Sequence, residues 1–214
     1  MENVPQLPRL GEKAPDFHAN TTTGPLQFSE YIKDNWAILF SHPADFTPVC
    51  TTEMSAFAED QEWFDQQGVK LIGLSIDSIH SHLAWVNNVR EKTGVYMRFP
   101  IIADIDMSVS KLYGMLHPGQ SNTAAVRAVF IVDPGGSVQL IMYYPMNVGR
   151  NLDEIKRALV ALKTATDSKC AMPVNWRPGD LAIVPPPKTL AEMDERIANT
   201  EYEKTDFYLA KKPV

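Results

Sequence analysis

The sequence is poor in cysteine, with Cys50 and Cys170 the only two thiols in 214 residues. Two distant cysteines cannot form the disulfide framework of a small secreted protein, and they suit a reducing cytosol. No apolar run approaches the roughly 20 residues that a membrane-spanning helix needs. The first residues also lack the basic and apolar segments that are typical of a signal peptide. We therefore expect a cytoplasmic protein without a membrane partner.

An excess of positive charge is also absent. The chain has 20 Lys and Arg against 26 Asp and Glu, a formal net charge of −6 at pH 7. This balance gives no reason to expect nucleic acid as a partner. The five histidines and the lack of a Cys-x-x-Cys motif give no metal-binding pattern, so we expect no metal site.

Short apolar runs alternate with helical patterns over most of the chain. Two apolar runs suit buried strands, Trp36–Ser41 and Val69–Asp77. A stretch of helical periodicity follows each run. The first of these stretches ends at Gly68 and the second ends at Gly94. The runs "AVRAVFIVD" and "SVQLIMYY" flank a Pro-Gly-Gly turn and predict a hairpin. Asn151 is placed to cap a further helix. This order predicts an α/β, thioredoxin-like fold with a central mixed sheet flanked by helices.

The composition changes at about residue 170, where proline becomes frequent. The segments "MPVNWRPGD" and "IVPPPK" interrupt any regular hydrogen-bonding ladder, because proline has no N–H donor. One helix, around Leu190 to Asn199, is expected beyond them. We therefore divide the chain into a thioredoxin-like domain, residues 1–169, and a C-terminal extension, residues 170–214, that lies as an arm over its own core or a partner's.

The stretch "FSHPADFTPVC" places Cys50 between a proline-containing loop and a helical segment. A thiol reacts as its thiolate, and an ordinary cysteine with a pKa of about 8.5 is mostly protonated at neutral pH. The free N–H groups in the first turn of a helix favour an anion. Pro43 and Pro48 restrict the loop, and Thr47 can turn its hydroxyl toward the sulfur or an incoming oxygen. We therefore predict that Cys50 is a nucleophile rather than a small buried apolar residue.

The segment "PADFTPVC" resembles the Pro-x-x-x-Thr-x-x-Cys signature of the peroxiredoxins, the alkyl hydroperoxide reductase/thiol-specific antioxidant family. The longer "FSHPADFTPVCTTE" is similar to their 1-Cys subfamily. Further similar segments follow in the family's order: "LIGLSIDSIHSHLAW", "FPIIAD", "RAVFIVDP", "YPMNVGRNLDEI" and "PVNWRPGD". The resemblance implies a thioredoxin fold with extra elements and a thiol-dependent peroxidase for hydrogen peroxide and alkyl hydroperoxides.

The resemblance also implies residue roles. Cys50 would attack the peroxide and become a sulfenic acid. Thr47 would hydrogen-bond the peroxide, and Pro43 would shield the sulfur. Arg127 would lie near the sulfur, where a guanidinium stabilises both the thiolate and the charge that develops during reaction.

Three supporting residues follow from the same resemblance. Glu53 would position Arg127, Arg150 would be a second arginine of the site, and His42 would lie beside the pocket.

No metal or organic cofactor is implied, only an external thiol reductant of the glutathione or thioredoxin type. A homodimer, or a larger ring, is the implied assembly.

Cys170 departs from the family pattern. In two-cysteine peroxiredoxins a resolving cysteine immediately precedes the proline of a similar Pro-x-x-Trp, but here Met172 occupies that position. Cys170 is therefore interpreted either as an inert thiol or as a resolving cysteine that reaches Cys50 of a partner subunit.

Two other classes of function use the same residues. A cysteine hydrolase could use Cys50 with His42 as its base, and a non-enzymatic holdase could use the same scaffold. Some 1-Cys members carry a serine hydrolase element just before the cysteine strand, but Asn35 stands there in "KDNWA". We therefore expect no lipid hydrolysis.

Overall fold

The structure, a computed structural model, describes residues 7–214. The chain divides into two units, Met1–Arg150 and Asn151–Val214, which are described separately. This division falls before the helix that follows Asn151, whereas the sequence-based boundary falls after it, between residues 169 and 170. That boundary stays a prediction.

The first unit contains a seven-stranded sheet with helices. Its elements are β1 (His18–Thr21), β2 (Gly24–Gln27), α1 (Phe28–Tyr31), β3 (Trp36–Ser41), α2 (Pro48–Glu59), α3 (Gln61–Gln66), β4 (Val69–Ser75), α4 (Ile79–Thr93), β5 (Ile101–Ala103), α5 (Ser108–Leu112), β6 (Arg127–Val132) and β7 (Val138–Tyr144). The strand order is β2-β1-β5-β4-β3-β6-β7. Strands β3, β4 and β5 are parallel, whereas β6 and β7 are antiparallel. The predicted mixed sheet is confirmed.

The central strands β3 and β6 bring two distant parts of the chain together. All six residues of each strand are buried, as expected for apolar strands covered on both faces. They pair antiparallel, with Leu39 opposite Phe130 and Phe40 opposite Val129. The end of β3, which leads into the loop before Cys50, therefore lies beside the start of β6, which is Arg127.

Two element boundaries differ from the prediction. The helix expected to continue to Gly68 is two helices, because the chain leaves helical geometry at Asp60 (φ −84°, ψ 2°). Strand β4 ends at Ser75 rather than Asp77. The Asp77 carboxylate accepts hydrogen bonds from the Ser75 hydroxyl and the Asp45 N–H, which holds this segment in a turn.

The second unit includes the helix predicted after Asn151, and beyond residue 170 it has more regular structure than the predicted arm with one helix. Its elements are α6 (Leu152–Ser168), β8 (Ala182–Ile183), α7 (Leu190–Ala198), β9 (Glu203–Asp206) and β10 (Leu209–Lys212). The strands form an antiparallel sheet in the order β8-β10-β9. The expected helix near Leu190 is confirmed, but the three strands were missed because they are two to four residues long and carry no clear apolar alternation.

Helix α6 begins as predicted at Asn151, whose side chain accepts a hydrogen bond from the Glu154 N–H. Its buried positions are Ile155, Ala158, Leu159 and Ala161. This stripe follows helical spacing. None of the helices between residues 7 and 214 is both long and apolar enough to cross a membrane.

Replacing Asn151 by alanine should lower the free energy of unfolding by about 1 kcal/mol, because the first turn of α6 loses its side-chain cap. Asn151→Asp, which keeps an acceptor oxygen, is the matched control and should stay near the wild type. Urea denaturation at one fixed protein concentration measures both. An equal loss in the two variants would contradict the capping role.

Candidate active site

Cys50 lies in the first turn of α2. Thr47 is the N-cap, in extended conformation (φ −109°, ψ 148°), and Pro48 is the first helical residue. Proline suits this position because its missing N–H would have no helical partner there. Cys50 is the third helical residue, is 0% exposed and is a free thiol. The predicted placement at a helix start is confirmed.

The loop before Cys50 is held by backbone and side-chain bonds. The Thr47 hydroxyl donates to the Ala44 carbonyl at 2.9 Å, which leaves its oxygen lone pairs to accept another hydrogen bond. Pro43 is buried. Phe46 has a left-handed backbone (φ 55°) and a ring that is 56% exposed. This conformation is uncommon for a bulky residue, so the surrounding loop must hold it.

Arg127 is fixed on both edges of its guanidinium group. Its Nη1 lies 3.4 Å from the Cys50 sulfur and donates to Glu53 Oε2 at 2.6 Å. Its Nε and Nη2 both donate to the Met146 carbonyl, at 2.9 and 2.6 Å. Arg127 is only 3% exposed. One N–H of a buried, immobilised cation is therefore directed at the thiol.

Glu53 joins the two arginines of the site. Its carboxylate accepts a hydrogen bond from Arg127. It also accepts hydrogen bonds from the backbone N–H, Nε and Nη2 of Arg150, at 2.7 to 2.9 Å. Burial alone would raise the pKa of Glu53, but the charge and hydrogen bonds of Arg150, together with the charge of Arg127, hold that pKa below its ordinary value. Glu53 is therefore a carboxylate.

Arg150 has a fully buried side chain. Its Nη1 donates to the carbonyls of Ser41 and Ala128, each at 2.9 Å, and its guanidinium lies 5.4 Å from the centre of the Phe40 ring. Two guanidinium groups and one carboxylate leave one positive charge in this cluster. An anion on the adjacent Cys50 sulfur would balance that charge.

His42 is completely buried, and its ring nitrogen Nε2 lies 2.9 Å from Asp45 Oδ1. Asp45 in turn contacts His82 Nδ1 at 2.8 Å. No sequence pattern indicated a role for Asp45, for His82 or for the Met146 carbonyl. A backbone acceptor has no sequence signal, and Asp45 and His82 lie 37 positions apart.

His42, Asp45 and Asp77 also bring donor atoms within 4.8 Å of one another, as metal ligands do. These atoms are already engaged: His42 Nε2 contacts Asp45 Oδ1, and Asp77 Oδ2 accepts from Ser75 and from the Asp45 backbone. We interpret the group as a hydrogen-bonded cluster rather than a metal site.

Cys170 lies beyond the end of α6, after Lys169, which has a left-handed backbone (φ 53°). The thiol is free and the residue is 7% exposed. Its backbone N–H donates to the Ser168 hydroxyl. Its role in the reaction stays a prediction.

Comparison with known families gives two matches. Residues 10–141 match the AhpC/TSA family, and residues 161–199 match the C-terminal domain of 1-Cys peroxiredoxin. Peroxiredoxin 2 of Caldanaerobacter subterraneus subsp. tengcongensis is 52% identical over 217 residues, covering 100% of this chain and 98% of the relative. The peroxiredoxin of Aquifex aeolicus is 49% identical and covers 99% of both chains.

Solved structures agree with the sequence matches. A yeast mitochondrial 1-Cys peroxiredoxin, studied for thiol resolution via glutathione/thioredoxin systems, has a TM-score of 0.85 at 38% identity, over 96% of this chain and 99% of the other. A cysteine-to-serine mutant of peroxiredoxin 6 of Arenicola marina has a TM-score of 0.86 at 35% identity, over 96% and 97%. The predicted fold class and family resemblance are confirmed.

Glu53→Gln should destabilise the protein by about 3 kcal/mol or more at neutral pH, because two buried guanidinium groups lose their shared counter-charge. The pKa of Glu53 is lowered in the folded state, so its contribution is complete above the ordinary value of 4.5 and is lost as the pH falls through the folded value. The difference between wild type and variant should therefore shrink below pH 4.5.

Urea denaturation over a pH series measures this effect. Glu154→Gln is the matched control, since Glu154 forms a partly exposed pair with Arg157 that contributes little. A Glu53→Gln difference as small as that of the control, at every pH, would contradict the proposed charge cluster.

Proposed function

The chain belongs to the AhpC/TSA family, and on this basis we propose that Cys50 is the residue through which it reduces peroxides. The two family matches and the relatives named peroxiredoxin make the protein a peroxiredoxin, a thiol-dependent peroxidase. The observation that carries the assignment of Cys50 is the 3.4 Å approach of the Arg127 guanidinium to its buried sulfur.

In the first step, the Cys50 thiolate attacks the terminal peroxide oxygen. An S–O bond forms, the O–O bond breaks, and Cys50 becomes a sulfenic acid. The leaving alkoxide or hydroxide takes up a proton and departs as an alcohol or water. Arg127 stabilises the negative charge that passes from sulfur to the leaving oxygen, without losing a proton itself.

Other residues of the loop prepare this step. Thr47 accepts a hydrogen bond from the O–H of the peroxide, because its own proton is directed to the Ala44 carbonyl. Buried Pro43 helps to exclude water from the sulfur. Glu53, which Arg150 also bonds, holds Arg127 in place. Buried His42 supports the loop through its contact with Asp45.

The sulfenic acid is then reduced by an external thiol. The match of residues 161–199 to the C-terminal domain of 1-Cys peroxiredoxin supports this 1-Cys mechanism. One thiol forms a mixed disulfide with Cys50 and releases water, and a second thiol frees Cys50 as it forms the reductant's disulfide. We assign the reductant to the glutathione or thioredoxin class, as for the yeast protein, with no metal or organic cofactor. The alternative resolver is Cys170 of a partner subunit.

We further propose a homodimer, or a higher ring, in the cytoplasm. The second unit exposes several large apolar side chains, among them Val174 (87% exposed), Leu190 (76%) and Ile197 (56%). Exposed apolar surface of this kind favours a protein interface. Two free thiols suit a reducing compartment.

The assignment of the two cysteines is tested by adding one equivalent of hydrogen peroxide to wild type, Cys50→Ser and Cys170→Ser. Wild type and Cys170→Ser should each take up one oxygen atom per chain. The product is a sulfenic acid, which can be trapped as an adduct. Cys50→Ser should gain none and should lack peroxidase activity, because it has no nucleophile. Intact mass and non-reducing gels provide the measurement.

Two outcomes would change the roles assigned to Cys50 and Cys170. A disulfide that forms in wild type and disappears in Cys170→Ser would assign Cys170 as the resolving cysteine. Full peroxidase activity in Cys50→Ser would remove Cys50 from the mechanism.

Arg127→Lys should slow the oxidation of Cys50 by about 100-fold, because lysine keeps the charge but cannot bond the Met146 carbonyl and Glu53 while approaching the sulfur. Arg157→Lys, a change to an arginine in the partly exposed pair on α6, is the control and should leave the rate unchanged. Stopped-flow measurement of the first peroxide turnover provides the rates. A wild-type rate in Arg127→Lys would show that its hydrogen-bond geometry plays no part.

A further inference from the structure

Ser41 is a fully buried polar residue at the end of the apolar strand β3. Strands β3 and β6 pair as far as Phe40 opposite Val129, and Ser41 is the next residue along β3. Its hydroxyl donates to the Val126 carbonyl at 2.6 Å and accepts from the Ala128 N–H at 3.1 Å. One side chain therefore continues the contact between these two parts of the chain after their backbone pairing ends.

The two groups that Ser41 bonds belong to the peptide units on either side of Arg127. The Val126 carbonyl lies in the unit before Arg127, and the Ala128 N–H lies in the unit after it. The Ala128 N–H also donates to the Val126 carbonyl at 3.1 Å, which makes Arg127 the central residue of a three-residue turn. All three residues of the turn are at most 3% exposed. The Ser41 hydroxyl thus bridges both ends of a buried turn centred on Arg127.

The backbone of Arg127 sets where its guanidinium group lies. The side chain is long, so a small rotation at its Cα becomes a large displacement of Nη1, which lies 3.4 Å from the Cys50 sulfur. A misplacement of about 1 Å in an active site can lower a rate about 100-fold. The bonds to Glu53 and to the Met146 carbonyl fix the far end of the side chain. The bridge from Ser41 fixes its base.

We propose that Ser41 is a positioning residue for peroxide reduction and that it acts through Arg127. Its hydroxyl holds the turn in the conformation that directs Nη1 of Arg127 at the Cys50 sulfur. The effect on the rate rests on the proposed function of Cys50, whereas the effect on the geometry of Arg127 does not. A merely structural serine would satisfy the same two backbone groups without any effect on the rate that runs through Arg127.

Two pairs of proteins separate the hydroxyl of Ser41 from its packing. Ser41→Thr and Ser41→Val have the same shape, suit a strand equally, and differ by one hydroxyl group in place of a methyl group. Wild type and Ser41→Ala form the second pair. Ser110→Ala is the matched control, because Ser110 is also fully buried but its hydroxyl donates to Asp104 rather than to the turn at Arg127.

The rate of Cys50 oxidation in the first peroxide turnover is the first measurement. Ser41→Thr should be oxidised about tenfold faster than Ser41→Val, and wild type about tenfold faster than Ser41→Ala. Ser110→Ala should lose stability in urea but keep the wild-type rate. Equal rates within either pair, or an equal loss of rate in Ser41→Ala and Ser110→Ala, would overturn the proposal.

A double-mutant cycle tests whether Ser41 acts through Arg127. Arg127→Gln removes the cation beside the sulfur, so the addition of Ser41→Ala to this variant should slow oxidation by less than about twofold. If the two losses of rate multiplied instead, Ser41 would act independently of Arg127, and the proposal would be wrong.

Nitrogen-15 spectra provide a measurement that needs no peroxide. The Nε–H signal of Arg127, assigned by its loss in Arg127→Gln, reports the bond to the Met146 carbonyl. We expect this signal to keep its position in Ser41→Thr and Ser110→Ala, and to move or broaden in Ser41→Val and Ser41→Ala.

An unchanged Nε–H signal in folded Ser41→Val or Ser41→Ala would contradict the positioning role. If Ser41→Val does not fold, the comparison of wild type with Ser41→Ala decides both measurements. If peroxide left Cys50 of wild type unmodified by mass, the proposed function of Cys50 would fail, while the spectra would still test the hold of Ser41 on Arg127.

Discussion

The structure of the site depends on one buried carboxylate that is shared by two arginines. Glu53 lies three residues after Cys50, one turn further along α2, and it bonds Arg127 and Arg150 at once. The bonds that hold Glu53 therefore also fix the first turn of α2 against the start of β6. A buried charge without a partner costs several kcal/mol. Removing Glu53 leaves both guanidinium groups without their shared counter-charge, so this carboxylate is the member on which the cluster depends.

The sheet supplies the framework for this cluster. Because β3 and β6 are antiparallel neighbours, the last residue of β3 lies close to the first residue of β6. Ser41 uses this closeness in two ways. Its hydroxyl donates to the Val126 carbonyl and accepts from the Ala128 N–H, and its carbonyl accepts from Arg150. One small polar residue in an apolar strand thus links the sheet, the cysteine loop and the second arginine, which explains why a serine ends that strand.

Local patterns predicted the central strands and the position of Cys50, but not the contacts of the site. Strand β3 has the predicted bounds because six consecutive buried residues leave little choice of register. The meeting of Cys50 with Arg127 came from family resemblance, since residues 77 positions apart carry no local signal of contact. The Asp45–His82 pair had no such guide and was missed. The strands of the second unit were missed because their composition carries no strand pattern. They are strands because their backbones pair with one another.

The Cys50 sulfur is completely buried, and this burial would make the two proposed half-reactions unequal. Under the proposed mechanism, a peroxide has few atoms and would need only a small opening of the first helical turn, whereas a thiol of the proposed glutathione or thioredoxin class would need that turn to move aside. Under the proposed mechanism, the oxidised protein would therefore lose part of this packing before the reductant could reach Cys50. Mutations that loosen this turn are expected to slow the oxidative half-reaction and speed the reductive one, so that turnover is greatest at an intermediate stability of α2.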